Sequence, residues 1–375
     1  MITESIESFS IVAECLKRSD YKNIQYFPKH RIRHHPGREF LLIRSFLLKD
    51  RITLFRGSAL HSVYEQLMRS IYPKLFNLYR LFFRCEELSM TVLTNFFNQH
   101  DLDILIRDNI ISCADGQCIS NYRFIPLDDL LIISSPDCEY DTANYVYIGE
   151  DTIILCDFLR KEFNEHVKDA LEIGCGTGFL SLWMSRIAQN VTATDISERA
   201  LEFTGLNSNI NGINNVVTKI SDVYSDVHGK FGLIISNPPF VFLPKECVGR
   251  TFAFGAHLGM GILEKILLGL NDHLTDNGIS FIIAVSYIKE DGTNTLFDLI
   301  KNIFQGKPYS ITLKQIDYHP LQNHYSFYRQ HGISYSIRYL IKIQKAPAYQ
   351  LKHFPIRGAY RGIETLKIKL LDRPK

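Results

Sequence analysis

Several features that mark specialised protein classes are missing from this sequence. Its 375 residues include eight cysteines but no Cys-x-x-Cys pair and no His, Cys, Asp or Glu group with metal-ligand spacing. We therefore predict reduced thiols in a reducing compartment and no metal site. No apolar stretch approaches the ~18–20 residues that span a bilayer. The N-terminus also lacks the basic-then-apolar layout of a signal peptide. These absences predict a cytoplasmic protein with no membrane partner.

Neither sign of charge dominates. The sequence has 42 Lys and Arg against 40 Asp and Glu, a formal net charge of +2. This net charge is too small to indicate nucleic-acid binding by itself. Basic residues do concentrate locally, with seven Lys or Arg from Lys29 to Arg51 and seven more from Lys352 onward. Tyr26, Phe27 and Phe40 accompany the first cluster, and such segments permit an RNA or DNA acceptor. The near-neutral total leaves a small-molecule acceptor open.

Residues 1–139 are predicted to form a mainly helical N-terminal domain. A helical run covers Leu88–Phe97 and another starts at Asp101, and Asp115-Gly116 then separates two β-prone runs as a hairpin turn would. This order of helix, helix and hairpin resembles a winged helix. It is compatible with DNA contact, with packing against other protein, and with a homodimer formed through this domain.

The pattern changes at about residue 140. Short, continuous apolar runs now alternate with segments of helical periodicity, and the runs are Ala170–Ile173, Val191–Thr194, Val216–Ile220, Phe231–Ile235 and Ile279–Val285. Such runs suit strands buried on both faces, and helices between them suit crossovers, so we predict an α/β fold with a parallel, doubly wound sheet over residues 140–345. Ser310–Ile316 and Tyr335–Ile343 are predicted to add an antiparallel pair at the edge. Residues 346–375 are predicted to be a basic, irregular C-terminal tail.

A glycine-rich loop follows the first apolar run. The segment Glu172-Ile-Gly-Cys-Gly-Thr-Gly178 lies between that run and a helical run, where glycines permit positive φ and let a ligand approach the backbone. Seventeen residues after Gly178, the second run ends at Asp195, which can accept hydrogen bonds from both ribose hydroxyls. The spacing is GxGxG rather than the GxGxxG of dinucleotide sites. Glu172 would repel a pyrophosphate and attract a cation. S-adenosylmethionine (SAM) carries both an ammonium and a sulfonium.

These residues resemble motifs I and II of the class I SAM-dependent methyltransferases. The resemblance implies a seven-stranded Rossmann-like sheet with SAM as cofactor, in which the loop lines the methionine and ribose portions, Asp195 holds the ribose and Ile196 lies against the adenine. Asp222 fits a polar position near the adenine amino group, although an Asp at a strand end also caps turns. The predicted cofactor-binding residues are Glu172, Gly174, Cys175, Gly176, Gly178, Asp195, Ile196, Ser221, Asp222 and Asn237, with Tyr147 and Thr152 from a preceding segment that closes over the methionine end.

A second motif follows the fourth apolar run as Asn237-Pro238-Pro239-Phe240. Two prolines after a buried strand end the strand and stiffen the turn, which fixes the Asn237 side chain and the Pro238 carbonyl. Both oxygens can accept hydrogen bonds from one NH2 group and so direct its nitrogen lone pair at a methyl donor. Phe240 offers a face on which a planar acceptor can stack. The predicted catalytic residues are Asn237, Pro238 and Phe240.

This segment resembles motif IV of methyltransferases that act on planar nitrogens, among them enzymes for release-factor glutamine, adenine N6 and ribosomal-RNA guanine N2. The resemblance implies a SAM-dependent N-methyltransferase whose acceptor is an amide or an exocyclic aromatic nitrogen in RNA, DNA or protein. The arrangement as a whole is also similar to a group of bacterial proteins that place a winged-helix-like segment before a small methyltransferase domain. Two alternatives stay open: a biosynthetic small-molecule methyltransferase, and a DNA-binding regulator that senses SAM without catalysis.

Overall fold

A computed structural model describes residues 6–27, 52–55, 69–136, 145–242, 257–319 and 325–355. The described residues up to Val227 form one compact unit, and those from His228 onward form a second. This division falls inside the predicted domain 140–345, and the predicted boundary near residue 139 stays a prediction. The basic segment 29–51, the residues after 355, Cys138 and Cys247 lie outside the described part of the chain.

The first unit begins with short helices and small sheets. Its first elements are α1 (Ile6–Arg18), β1 (Ile24–Phe27), β2 (Ile52–Phe55), α2 (Pro73–Phe82), β3 (Leu88–Ser89), α3 (Met90–Leu93), α4 (Gln99–Arg107), β4 (Ile111–Ala114), β5 (Gln117–Ser120), β6 (Arg123–Leu127) and β7 (Leu130–Ser134). β1 and β2 pair in parallel, β3, β5 and β4 form a three-stranded antiparallel sheet, and β6 and β7 form a hairpin. Helices followed by a hairpin match the predicted order, and the comparison with a winged helix stays a prediction.

The β4–β5 hairpin corrects one expectation about the cysteines. Asp115 and Gly116 both have positive φ, 52° and 74°, as a two-residue hairpin turn requires, so the predicted turn is confirmed. The strand register places Cys113 directly opposite Cys118, and their sulfur atoms are joined in a disulfide. The prediction that all eight cysteines are reduced is therefore wrong for this pair, whereas Cys15 and Cys175 are buried thiols.

The first unit continues with alternating helices and parallel strands. These elements are α5 (Glu150–Glu162), β8 (Val167–Ile173), α6 (Phe179–Met184), β9 (Ala188–Asp195), α7 (Glu198–Ile210) and β10 (Val216–Ile220). β9 lies between β8 and β10, and both pairs are parallel. The carboxyl ends of the three strands therefore meet at one edge, which is where ligands bind in open α/β sheets.

The β6–β7 hairpin is attached to this α/β part at its turn. The carboxylate of Asp128 is bonded to the Arg160 guanidinium on α5. Asp129 pairs with Arg186, which follows α6, at 2.6 Å. Tyr122, just before the hairpin, makes an edge contact with Phe203 of α7, with ring centroids 6.1 Å apart. The hairpin therefore belongs to the same packed unit as the glycine-rich loop.

The second unit contains five strands in the order β11, β12, β14, β13, β15. Its elements are β11 (Phe231–Ser236), α8 (Gly261–His273), β12 (Leu274–Lys289), α9 (Thr295–Phe304), β13 (Tyr309–His319), α10 (Tyr325–Gln330), β14 (Ile333–Lys345) and β15 (Gln350–Phe354). β11 and β12 are parallel, β14 is antiparallel to both β12 and β13, and β15 runs parallel to β13. The predicted antiparallel pair is confirmed. The tail predicted to be irregular instead begins with a strand, because β15 extends the edge beyond β13.

The α/β fold class is confirmed, with all seven predicted apolar runs forming strands. β15 is one strand more than the seven that the resemblance implied. Within the described ranges, none of the helices has the length and apolar character needed to cross a membrane. In the same ranges, no three His, Cys, Asp or Glu side chains group together as metal ligands would.

Candidate functional site

The glycine loop leaves β8 in a conformation that side-chain-bearing residues rarely adopt. Gly174, Gly176 and Gly178 have φ of 74°, 53° and 78°. The backbone amides of Gly174 and Cys175 both donate to the carbonyl of Thr194 on β9, at 2.8 and 2.9 Å. A Cβ atom built on Gly174 or Gly176 would meet no protein atom within 4 Å. The loop is therefore fixed from behind and presents backbone to open space, as close approach of a ligand requires.

Asp195 connects the loop to the ends of β9 and β10. One carboxylate oxygen accepts from the Gly176 amide and the other from the Ser197 amide, each at 3.0 Å. The Asp195 carbonyl accepts from the amide of Ser221, just after β10, at 2.9 Å. Burial raises the pKa of Asp195, and its bonds to backbone amides oppose that change. The predicted loop, ribose-binding acid and adenine-side residues are thus brought together within one unit.

Glu172 is the most deeply buried acid of the predicted site, with 2% of its surface exposed. Its carboxylate accepts a hydrogen bond from the Ser181 hydroxyl on α6. Burial raises the pKa of Glu172 to about 8 from an ordinary value of 4.5, the Ser181 bonds oppose the rise and the nearby Asp195 charge adds to it. A cation bound beside the loop would favour the ionised carboxylate. The carboxyl is therefore suited to the ammonium or sulfonium of SAM.

Two residues on the predicted adenine side are open to solvent. Ile196 is 70% exposed, which is unusual for a large apolar side chain, and Asp222 is also exposed. Ser221 is 4% exposed, and its hydroxyl donates to the Val223 carbonyl at 3.1 Å. Ile196 and Asp222 can therefore reach a ligand, whereas Ser221 shapes the turn after β10. Their contacts with an adenine stay predictions.

The predicted closing segment lies at the start of α5. Tyr147 is 39% exposed and stacks on Tyr145 with ring centroids 5.0 Å apart. Thr152 is half-buried in the first turn of the helix. A role for Tyr147 and Thr152 at the methionine end of SAM stays a prediction.

Two residues of α7 support the glycine loop and were not predicted from the sequence. The Thr204 hydroxyl lies 3.2 Å from the Gly176 carbonyl and 3.3 Å from the Cys175 sulfur. The Asn207 side chain donates to the Thr177 carbonyl at 2.9 Å. Both side chains are fully buried. Nothing in the local sequence of α7 shows that these polar residues are buried, so their role could not be predicted from it.

The second unit holds the Asn-Pro-Pro-Phe segment directly after β11. Asn237 is half-buried, and its side-chain oxygen is buried. Pro238, the next residue, is also buried. Phe240 is 8% exposed and packs in an apolar cluster with Val285, Tyr287 and other side chains of this unit. Most of the Phe240 ring is therefore occupied by protein, and its predicted stacking against an acceptor stays a prediction.

Tyr287 and Gly259 hold the backbone at Phe240 and were also missed. The Tyr287 hydroxyl accepts from the Phe242 amide at 3.0 Å and lies 3.5 Å from the Phe240 carbonyl. Gly259 has φ of 75°, and a Cβ built there would lie 2.2 Å from the same carbonyl oxygen. The only sequence signal is the glycine-rich stretch before α8.

Comparison with known proteins identifies the class. Residues 148–312 match the methyltransferase small domain. A protein of Methanocaldococcus jannaschii that carries the name of a protein N5-glutamine methyltransferase is 32% identical over 150 residues, 39% of this chain and 74% of that protein. The chain therefore belongs to the class I SAM-dependent methyltransferases of the small-domain family, and SAM is its cofactor.

The matches to other relatives extend over a smaller share of those proteins. Ribosomal RNA small subunit methyltransferase C of Marinomonas sp. (strain MWYL1) is 30% identical over 142 residues, which is 36% of this chain and 37% of that protein. This chain thus spans under two fifths of the ribosomal RNA methyltransferase it matches. The crystal structure of M. jannaschii TYW2 in complex with AdoMet is similar at 14% identity and a TM-score of 0.40, over 60% of this chain and 87% of that one.

Proposed function

We propose that the chain transfers a methyl group from SAM to a planar exocyclic nitrogen of an RNA base. The observation that carries the proposal is the buried amide oxygen of Asn237, placed by β11 and followed by two prolines. An NH2 group carries two N–H donors, and Asn237 Oδ1 and the Pro238 carbonyl are two acceptors on one stiff turn, so this turn suits such a group. Enzymatic methyl transfer, rather than SAM sensing, is favoured because the chain belongs to a methyltransferase family.

The chain's own residues would supply position rather than acid or base. Bound SAM supplies a methyl carbon already activated by its positive sulfur. Asn237 Oδ1 and the Pro238 carbonyl would accept both protons of the acceptor NH2 and turn its lone pair out of conjugation. The bound cofactor would supply the methyl carbon to this nitrogen and keep the electron pair of its S–C bond, and the methylated nitrogen would release its proton to water. Glu172 and the glycine loop would hold the cofactor.

RNA is favoured by three lysines on one sheet face of the second unit. Thr312 pairs with Lys342 on one side and Lys352 on the other, and Lys314 lies two residues further along the same face. Lys314 and Lys352 are exposed and Lys342 is half-exposed. Phe354, opposite Lys314, is 50% exposed. Lysines beside an exposed aromatic ring suit phosphates and a stacked base. A ribosomal RNA methyltransferase is among the relatives.

A glutamine side chain in a protein is the second candidate. It is favoured by the M. jannaschii relative, because this chain covers 74% of that protein. A glutamine amide and an exocyclic amino group present the same NH2 geometry to Asn237, so the motif alone does not separate them.

The proposal is tested by supplying the purified protein with methyl-labelled SAM and a fractionated extract. We expect label in RNA, at an exocyclic base nitrogen. Label in protein would contradict an RNA acceptor and favour glutamine as the acceptor. Label only in small molecules would support the biosynthetic alternative.

The Asn237→Ala variant tests the catalytic assignment. It should lose turnover by at least ~100-fold while SAM binding stays largely intact, because its change removes an acceptor for the substrate amino group. Asn190→Ala is the matched control, since Asn190 is exposed and bonds only Asp169 in the hydrogen bonds described for it. Turnover as high as that of the parent protein in Asn237→Ala would show that Asn237 is not a catalytic residue.

A further inference from the structure

The outer edge of β7 is bound by side chains instead of by another strand. In the β6–β7 ladder Leu131 lies opposite Pro126 and Ile133 lies opposite Phe124. In an antiparallel pair every second residue is not hydrogen-bonded to its partner strand, and the amides and carbonyls of Leu131 and Ile133 are the ones that point away from β6. Asn211 accepts from the Leu131 amide at 3.0 Å and donates to its carbonyl at 2.9 Å. Asn207 does the same for Ile133, at 2.7 and 3.0 Å. One face of α7 therefore presents two amides, four residues apart, that replace a neighbouring strand.

Asn207 makes one contact that Asn211 does not. Its side-chain nitrogen also donates to the carbonyl of Thr177, inside the glycine loop, at 2.9 Å. A side-chain amide has two N–H groups, and Asn207 uses one on Ile133 and one on Thr177. The second N–H of Asn211 goes to the carbonyl of Asn207 within the same helix, at 2.8 Å. Both asparagines thus form hydrogen bonds to β7, and only Asn207 also bonds to the glycine loop.

The loop has little freedom to move independently of α7. Besides the Thr177 bond, the Thr204 hydroxyl contacts the Gly176 carbonyl, and a Cβ added at Gly178 would lie 2.7 Å from Thr204 Cγ2. Asn207, Thr177 and Thr204 are at most 3% exposed, so water does not compete for these bonds. Fully satisfied buried polar networks of this kind fix a geometry more strongly than exposed ones.

We propose that Asn207 is a positioning residue for SAM, which makes the β6–β7 hairpin a working part of the cofactor site. Asn207 holds the Thr177 carbonyl at a distance set by Ile133, so a displaced hairpin would displace the loop. This inference rests on the proposed SAM site at the glycine loop and is independent of the methyl acceptor.

The test compares two alanine variants of the full chain by SAM affinity and by thermal stability. Asn207→Ala and Asn211→Ala each remove two bonds to β7, so both should lower stability. Only Asn207→Ala removes the link to Thr177, and we expect its SAM dissociation constant to rise about tenfold, the effect of one buried hydrogen bond, with less than about a twofold change for Asn211→Ala. Equal SAM affinities in the two variants would overturn the inference.

Hydrogen exchange on the unaltered protein gives a second measurement that does not depend on a variant folding. Coupling is reciprocal, so SAM should slow exchange of the Ile133 amide by about threefold or more. The Ile119 amide, in the β4–β5 hairpin of the same unit, should change little. No change at Ile133 would contradict the inference even if Asn207→Ala were insoluble.

Asp195→Ala separates this inference from the site on which it rests. Unchanged SAM affinity in Asp195→Ala would overturn the placement of the site, and the inference with it. Weakened binding in Asp195→Ala together with normal binding in Asn207→Ala would overturn the inference alone.

Discussion

Glu172 occupies a position where burial and the cofactor make opposite demands. With 2% of its surface exposed, the carboxyl is held mostly protonated near neutral pH in the absence of a cation, because its pKa is about 8. The unfolded chain ionises the same group near its ordinary value of 4.5. Between these two values the folded protein binds a proton that the unfolded chain has lost. Stability contributed at this residue therefore decreases as pH rises through that window.

Replacing Glu172 by Gln should abolish this pH dependence. The variant should be more stable than the parent at pH 7, by on the order of 3 kcal/mol, and the difference should shrink towards pH 5. Denaturant unfolding of both proteins between pH 5 and pH 8 measures it. The exposed Glu198→Gln is the control in the same unit. A stability difference that is constant with pH would contradict the assignment.

Local patterns in the sequence identified some site residues and could not identify others. The glycines and Asp195 are recognisable because their roles follow from where strands end. The Cys113–Cys118 disulfide was also within reach, because an Asp-Gly turn at 115 and 116 places those two cysteines opposite each other. Asn207 was not, since its partner Ile133 lies 74 residues away. A contact of that range is set by packing, which no local pattern records.

At the scale of elements, the end of β11 depends on a residue of the neighbouring strand. Tyr287 of β12 is 2% exposed, and its hydroxyl binds the Phe242 amide and faces the Phe240 carbonyl. Its ring also stacks on Tyr328, with centroids 5.8 Å apart. The hydroxyl thus holds the backbone on both sides of Val241, immediately after the two prolines.

Tyr287→Phe should reduce turnover more than it reduces stability. It keeps the ring and removes only the bonds to the backbone after Asn237, so we expect kcat to fall by about tenfold with a loss of roughly 1 kcal/mol in unfolding free energy. Tyr339→Phe is the matched control, because the Tyr339 hydroxyl accepts from Asn294 at 3.2 Å within the same unit. If Tyr287→Phe and Tyr339→Phe lost similar amounts of activity and of stability, the role of Tyr287 would be structural only.

The strands that were predicted and the one that was missed differ in apolar composition. β8 and β11 end in four buried residues each, and three of the four residues Val191–Thr194 of β9 are buried. β10 has no buried residue, contrary to the expectation of burial on both faces, and only its apolar composition indicated a strand. β15 has the sequence Gln-Leu-Lys-His-Phe, and four of its five residues are exposed. An edge strand has a neighbour on one side only and needs no apolar run. Composition therefore indicated a tail where the backbone continues the sheet.

For the whole molecule, the near-zero net charge limits how RNA could be bound. With a formal charge of +2, long-range attraction is weak and binding must come from local contacts. The described candidates are Lys314, Lys342 and Lys352, on one face of β13, β14 and β15. Each phosphate contact to single-stranded RNA contributes about 0.7 to the slope of log affinity against log salt.

Changing these three lysines to glutamine should lower that slope by about 2 while leaving SAM affinity unchanged. Lys230, Lys301 and Lys307 are exposed in the same unit, and their triple glutamine variant has the same net charge. RNA affinity measured from low to moderate salt should be unaffected in that control. Equal slopes in both triple variants would place RNA elsewhere on the protein.

The fold class of the whole molecule could be predicted from the sequence, whereas the packing of the β6–β7 hairpin against the α/β part could not. Apolar runs and motif order sufficed for the α/β fold, and the first unit also contains the β6–β7 hairpin together with the glycine-loop strands. That union depends on contacts such as Asp128 with Arg160 and Tyr122 with Phe203, made by residues that look like ordinary surface or helix positions in sequence.

The asparagine pair on α7 has a further consequence for self-association. Strands of different molecules join through unused backbone groups, and such joining is the usual start of aggregation in sheet proteins. On β7 those groups are already taken at Leu131 and Ile133. On the opposite border of the hairpin, Pro126 has no N–H to offer and the Phe124 carbonyl accepts from the Tyr21 hydroxyl. The β7 border is thus closed to strand addition at these two residues, and the β6 border lacks one donor and has one acceptor already bound, so a homodimer formed through this region would be held mainly by side chains.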